Sequence, residues 1–144
     1  MEIFHNPPEA EIRELLSRTH VIAVVGLSPK PHRPSHQVAS RMQQFGYRII
    51  PVRPAVDSVL NEKAYASLRT VPERIELVDV FRAPQHVDEI VDQCIELRLP
   101  AIWLQDGVVN PRAARRARDA GIKVVMNRCV YRDYVNFFGT APHS

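Results

Sequence analysis

At 144 residues, with 45% hydrophobic and 24% charged side chains, the chain has room for one buried core and the make-up of an ordinary globular domain. No apolar run nears the ~18 residues of a membrane span, and the acidic, proline-broken start MEIFHNPPEAEIRELL is unlike a signal peptide. Two distant cysteines, Cys94 and Cys129, make no disulfide framework, so a cytoplasmic protein without a membrane anchor is expected.

The net charge of +3 is modest but lopsided in make-up: only Lys30, Lys63 and Lys123 of the 19 basic residues are lysine, and no aromatic interleaving or known module points to nucleic acid. Arginine is the better planar clamp for phosphates and carboxylates, although a GC-rich genome also favours its codons.

In chain order, Pro7 to Arg18 is expected to form a short covering helix with Ile12, Leu15 and Leu16 inward. Val21 to Val25 is a continuous apolar run, the pattern of a strand buried on both faces, and Gly26 ends it. A loop with Pro29, Pro31 and Pro34 leads to a helix from Ser35 with Val38, Met42 and Phe45 on one face and Gly46 as its stop. Tyr47 to Val52 is a second strand, and Pro51 argues that its last residues lie at a strand end. Asp57 to Glu73 is irregular, with one helical turn expected over Ala64 to Leu68. Leu77 to Phe81 is a third strand, and Pro84 opens a helix carrying Val87, Ile90, Val91, Cys94 and Leu97 at helical spacing. Ala101 to Leu104 is a fourth strand. Asn110 and Pro111 then cap a helix whose face of Ala113, Ala117 and Ala120 suits close packing, and Gly121 stops it. Lys123 to Met126 is a fifth strand, and Cys129 to Phe138 a terminal helix. Short strands alternating with helices imply an α/β fold: a doubly wound parallel sheet of about five strands in three αβα layers, one domain over residues 1–144.

The candidate site follows from that topology, because open α/β sheets bind ligands outside the carboxyl ends of their strands. The stretch GLSPKPHRPSH lacks both the three glycines of the dinucleotide fingerprint and the Gly-Lys-Ser/Thr of a P-loop. It still joins a strand to a helix mouth, whose free N–H groups favour an anion. Hydroxyls at Ser28 and Ser35 and cations at Lys30 and Arg33 stand ready to hold phosphate. The alternative is a turn that only connects. Arg53 stands where NAD-binding folds place an acid, which suits a phosphorylated ribose such as that of NADP or coenzyme A. Phe81, Arg82 and Pro84 follow the third strand; Gln105, Asp106 and Gly107 follow the fourth. Cys129, after Arg128 at a helix start, is the one weak candidate for thiol chemistry, since cations and a helix N-terminus lower a thiol pKa; inert burial is the favoured alternative. Cys94 is expected to be core. His32 and His36 straddle a loop–helix junction and make no metal site, and the Arg112, Arg115, Arg116 and Arg118 cluster is accounted for as a solvated helix face.

Five stretches, AVVGLSPKPHRPSHQVA, GYRIIPVRP, LVDVFRAP, IWLQDGVVN and AGIKVVMNRC, together resemble the small stand-alone CoA-binding proteins. Their Rossmann-like domain is similar to the CoA-binding domain of the succinyl-CoA synthetase α subunit. The resemblance implies that Gly26, Leu27, Ser28, Lys30, Arg33 and Ser35 meet the phosphates of coenzyme A. It implies that Val52, Arg53, Pro54, Phe81, Arg82 and Pro84 border the adenosine and upper pantetheine, and that Gln105, Gly107, Asn127 and Cys129 face the thiol end. Arg53 stands where the family usually has Asn, and Asp106 where it often has a neutral residue. The phosphorylated histidine and nucleotide-binding partner of the synthetase belong to other domains, so ligase chemistry is not implied. The expected function is non-catalytic binding of CoA or an acyl-CoA. The alternatives are thiol or acyl chemistry at Cys129 and an NADP-dependent reductase.

Overall fold

A computed structural model describes residues 3–143. Five parallel strands form its sheet: β1 (Val21–Val25), β2 (Arg48–Val52), β5 (Leu77–Val80), β6 (Ala101–Leu104) and β7 (Lys123–Met126). They lie in the order β2-β1-β5-β6-β7. A small antiparallel hairpin, β3 (Ser58–Val59) and β4 (Glu62–Lys63), lies between β2 and β5 in sequence.

Side chains alternate across each strand, so the sheet has two apolar faces and needs helices on both. On one face Ile22, Val24, Leu77, Trp103 and Val125 pack against α1 (Glu9–Arg18), α2 (Pro34–Phe45) and α5 (Val130–Phe138). On the other, Ala23, Val78, Val80, Ile102, Leu104 and Val124 meet α3 (Val87–Glu96) and α4 (Pro111–Asp119). The three layers and the Rossmann-like α/β class match the expectation from sequence.

Pro51 is the penultimate residue of β2, at the strand end as expected, and it keeps its place in the ladder. The strand is at the sheet's edge, and the Pro51 carbonyl accepts from the Tyr65 N–H on the outer side, 3.0 Å. A parallel strand residue directs its N and O to the same side, so the missing N–H costs no bond to β1. Several local expectations shift. No helical turn forms over 64–68. Ala64 and Tyr65 instead bond to Asp57 and Pro51, and a 3₁₀ turn comes at Leu68–Thr70 with Ser67 accepting from the Arg69 N–H. In α2 the buried positions are Ser35, Ala39 and Met42, while Val38 and Phe45 are only half-buried. In α4 they are Ala113, Ala114 and Ala117; Ala120 is exposed, because it is the C-cap and has left the helical face. Nor is Arg116 merely solvated: it forms ion pairs with Asp88, at 2.7 Å, and with Asp92 of α3, locking the two helices together.

The outer edge of β7 is closed by one side chain. The Asn6 amide donates to the Met126 carbonyl (2.9 Å) and accepts from its N–H (2.7 Å), as a neighbouring strand would. At the other end of α4, Asn110 Oδ1 accepts from the Ala113 N–H at 3.1 Å and its Nδ2 donates to the Pro84 carbonyl at 3.1 Å. One side chain therefore caps α4 and anchors the loop after β5. Asn110→Ala is expected to lower stability by about 1–2 kcal/mol, measured by urea unfolding. The exposed neighbour Arg112→Ala should change it by less than about 0.5 kcal/mol.

Candidate functional site

The strand order reverses between β1 and β5, since β1 leads outward to β2 and the chain then returns to β5. A doubly wound sheet opens its crevice at such a point. Here it holds a cleft of about 530 Å³ lined by Gly26, Ser28, Lys30, Arg33, Ser35, Arg53, Phe81, Gln105 and Asp106, among others.

Gly26 makes the cleft possible. Its φ is +86°, and a Cβ there would lie 2.5 Å from the Phe81 carbonyl oxygen and 2.9 Å from Arg82 Cδ. Its N–H donates to the Val52 carbonyl at 2.9 Å, so the exits of β1, β2 and β5 converge on one residue without a side chain. Arg53 Nη1 donates back to the Gly26 carbonyl through a long bond of 3.4 Å.

The loop beyond is held by its own hydroxyls. The Ser28 N–H donates to Ser35 Oγ (3.0 Å), and the Lys30 N–H to Ser28 Oγ (3.1 Å). Each hydroxyl is used there as an acceptor, which leaves its O–H to donate. His36 Nδ1 lies 2.9 Å from the Ser28 carbonyl; a carbonyl only accepts, so Nδ1 carries the proton. The histidine is thus a brace for the loop. At the mouth of α2 the N-cap is Arg33, which makes no side-chain capping bond, and Pro34 has no N–H to give. Ser35 and His36 lie in the first turn, where N–H groups have no intrahelical acceptor. Among the described residues, no ion pair engages Lys30, Arg33 or Arg53. The uncapped helix mouth, the free donors and these cations line one and the same cleft, where an anion is favoured.

Gln105 and, behind it, Asp79 lie at the base. Asp79 is 1% exposed and Gln105 3%, and Gln105 Nε2 donates to Asp79 Oδ1 at 2.6 Å. Burial pushes the Asp79 carboxyl up to about 7, the bond from Gln105 opposing that rise only in part. Sequence reasoning missed Asp79. The signal was an acid inside the apolar run LVDVF, where a strand covered on both faces has no solvent for it.

The other expected positions scatter. Val52, Pro54 and Arg82 line a second cleft of about 280 Å³ on the other side of the Gly26 crossing, towards α3. Leu27 is fully buried in the core beneath α1 and α2, so only its backbone can reach a ligand. Pro84, Gly107, Asn127 and Cys129 line neither cleft. Pro84 is occupied with Asn110, and the Gly107 N–H donates to Asn127 Oδ1 at 2.8 Å. Asp106 does line the main cleft, and Arg132 of α5 grips it through two bonds of 2.8 and 2.9 Å, holding its carboxyl below the usual range.

Of the two readings of Cys129, the structure favours inert burial over an activated thiol. It is the N-cap of α5, but burial raises its pKa and outweighs the lowering by backbone bonds from Arg132 and Tyr131. The cation next to it in sequence, Arg128, is turned away onto Asp133 at 2.7 Å. Cys94 is core, its thiol pushed up to about 12 by burial.

Several known proteins are similar to this chain in sequence and fold. A family model described as "CoA binding domain" matches residues 20–134. The uncharacterized protein YneT of Bacillus subtilis is 42% identical over 125 residues, 87% of this chain and 93% of that protein. A solved hypothetical protein from Pyrococcus horikoshii superposes with a TM-score of 0.89 at 36% identity, covering 96% of this chain and all of the other. An ADP-forming acetate–CoA ligase of Archaeoglobus fulgidus is 26% identical over 77 residues, 52% of this chain but only 11% of the ligase.

Two outcomes follow. Gly26→Ala combines a positive φ with a clash against backbone, and is expected to destabilise by at least about 2 kcal/mol in urea unfolding. Folded Asp79 keeps its proton up to about pH 7, whereas the unfolded chain releases it near the ordinary carboxylate value. The folded state therefore binds more protons across that window. This group's contribution to stability falls as pH rises from about 4 to about 7 and is constant above. Asp79→Asn should abolish that slope and be the more stable protein at about pH 8, by as much as about 4 kcal/mol. Urea melts at about pH 5 and pH 8 check both statements.

Proposed function

The chain belongs to the CoA-binding domain family, and on that premise we propose that it binds coenzyme A or an acyl-CoA by the diphosphate and holds it without converting it. The observation that carries this reading is the uncapped mouth of α2, flanked by Lys30, Arg33 and Arg53, at the sheet's switch point. Backbone N–H groups of the first turn and the Ser28 and Ser35 hydroxyls take the phosphate oxygens, while the cations neutralise them through charge-assisted bonds. Val52, Pro54 and Arg82 then border the adenosine in the smaller cleft. The pantetheine arm runs past Phe81 and Gln105, with its thiol end towards the Gly107, Asn127 and Cys129 corner.

A holding role suits the chemistry of the corner where the thiol ends. Cys129 is buried, and its raised pKa keeps it a thiol rather than a thiolate at neutral pH, a poor nucleophile for disulfide or thioester exchange. The acetate–CoA ligases handle CoA by name, but the chain spans about a tenth of their length, 11% of one of them, so their reaction is not carried over.

Calorimetric titration with coenzyme A tests the reading. Binding is expected to weaken with salt, and Lys30→Ala and Arg33→Ala should each weaken it roughly tenfold while leaving the fold intact. A flat titration with about 1 mM coenzyme A would sink it.

A further inference from the structure

Buried carboxylates are retained against a desolvation penalty, and Asp79 has no cation to offset it. It stands mid-strand in β5 between Val24 of β1 and Trp103 of β6, on the face covered by α1, α2 and α5. The charged and titratable groups of those elements are turned to other partners: Arg13 lies over the Phe138 ring, Arg18 pairs with Glu14, Arg41 donates to the Tyr131 hydroxyl and the Tyr134 hydroxyl donates to the Ala141 carbonyl. On α1, Glu9 and Glu11 reach Arg128 and Lys123. At the start of α2, His36 braces Ser28. At α5, Asp133 pairs with Arg128 and Arg132 with Asp106, and the Cys129 thiol is buried at the cap. Among the described residues the one side chain bonded to Asp79 is Gln105.

Gln105 in turn lines the main cleft. Its Nε2 is committed inward, and no buried side-chain nitrogen or oxygen among the described residues lacks a partner. The Oε1 atom makes no bond within the protein, so it lies open at the cleft surface. We propose that Asp79 is a positioning residue of the cleft: its carboxylate fixes the Gln105 carboxamide with nitrogen inward and oxygen outward. The cleft thereby selects a ligand group that brings an N–H or O–H to that point.

This rests on the coenzyme A reading and deepens it, since the group that fits is an amide N–H of the pantetheine arm. The ionised carboxylate can only accept, which forbids the reversed carboxamide. Once Asp79 takes a proton it can donate to Gln105 Oε1, the carboxamide turns over, and the cleft shows a donor where it had shown an acceptor.

Two measurements test the pair. In the unliganded protein, the ¹⁵N resonance of the Gln105 side-chain amide, assigned by its loss in Gln105→Leu, is expected to titrate with a midpoint near neutral pH. In Asp79→Asn it should stay flat over the same range. A flat resonance in the wild type overturns the proposal, with no reference to any ligand. By calorimetry with coenzyme A, the affinity of the wild type relative to Asp79→Asn should improve roughly three- to tenfold between about pH 6 and about pH 8. The ligand's 3′-phosphate also titrates near there, but equally for both proteins, and cancels in the ratio. A constant ratio would show that Asp79 serves the fold alone, and would overturn the proposal. Should Asp79→Asn not fold, Gln105→Leu serves in the same ratio with the same expectation. A wild type that binds no coenzyme A at either pH overturns the functional reading, whereas the resonance titration still decides how Gln105 is held.

Discussion

The architecture depends on how closely three strand exits approach one another at residue 26. A methyl group on Gly26 would lie 2.5 Å from the Phe81 carbonyl oxygen, well inside contact distance. The same residue's N–H is taken by Val52 and its carbonyl is met by Arg53. Glycine is therefore required twice over, by φ and by space, and this crossing divides the strand ends into two clefts. A single glycine suffices because the loop beyond is not the tight dinucleotide turn. It is longer, and its hydroxyls and His36 hold it open.

Charge is distributed to match. Several acids are engaged by arginines far from the crevice: Glu62 and Glu73 by Arg48, Glu96 by Arg69, Asp88 and Asp92 by Arg116. These pairs are largely exposed, so each adds little to stability. Their effect is to leave the positive charge at the cleft uncompensated. A modest net charge of +3 thus conceals a local excess at the one place where the backbone also presents donors.

Most of the framework was readable from the sequence because local patterning and tertiary context agree. β1 and β6 begin and end where the apolar runs do, β7 spans the expected Lys123–Met126, and Asn110 and Gly46 mark their helix ends as capping chemistry predicts. The failures have physical causes. The stretch 57–70 has no period to read, because its form is set by pairing with the edge of β2 rather than by its own residues. Ala114 replaces Ala120 in the core because the helix ends one residue earlier than its alanine spacing suggests. Gly26, Ser28, Lys30, Arg33 and Ser35 of the loop after β1 were placed together by spacing and line one cleft. Leu27 points into the core, since it follows a turn whose direction no pattern gives. Asp79 went unseen because periodicity counts a strand's apolar residues and passes over the exception among them.

Asp106 shows why a residue cannot be judged by its charge alone. In sequence it is an acid beside a loop expected to hold an anion. In the structure Arg132, one helix away, takes both carboxylate oxygens and holds Asp106 ionised, so the pair contributes almost no net field to the cleft. Below about pH 7 Asp79 is silenced by the opposite means, since burial keeps its proton on. One acid is neutralised by a partner and the other by its surroundings, and what remains facing the cleft is the cationic loop. The local field at the mouth of α2 is therefore more positive than the residues lining it would suggest if each were given its textual charge.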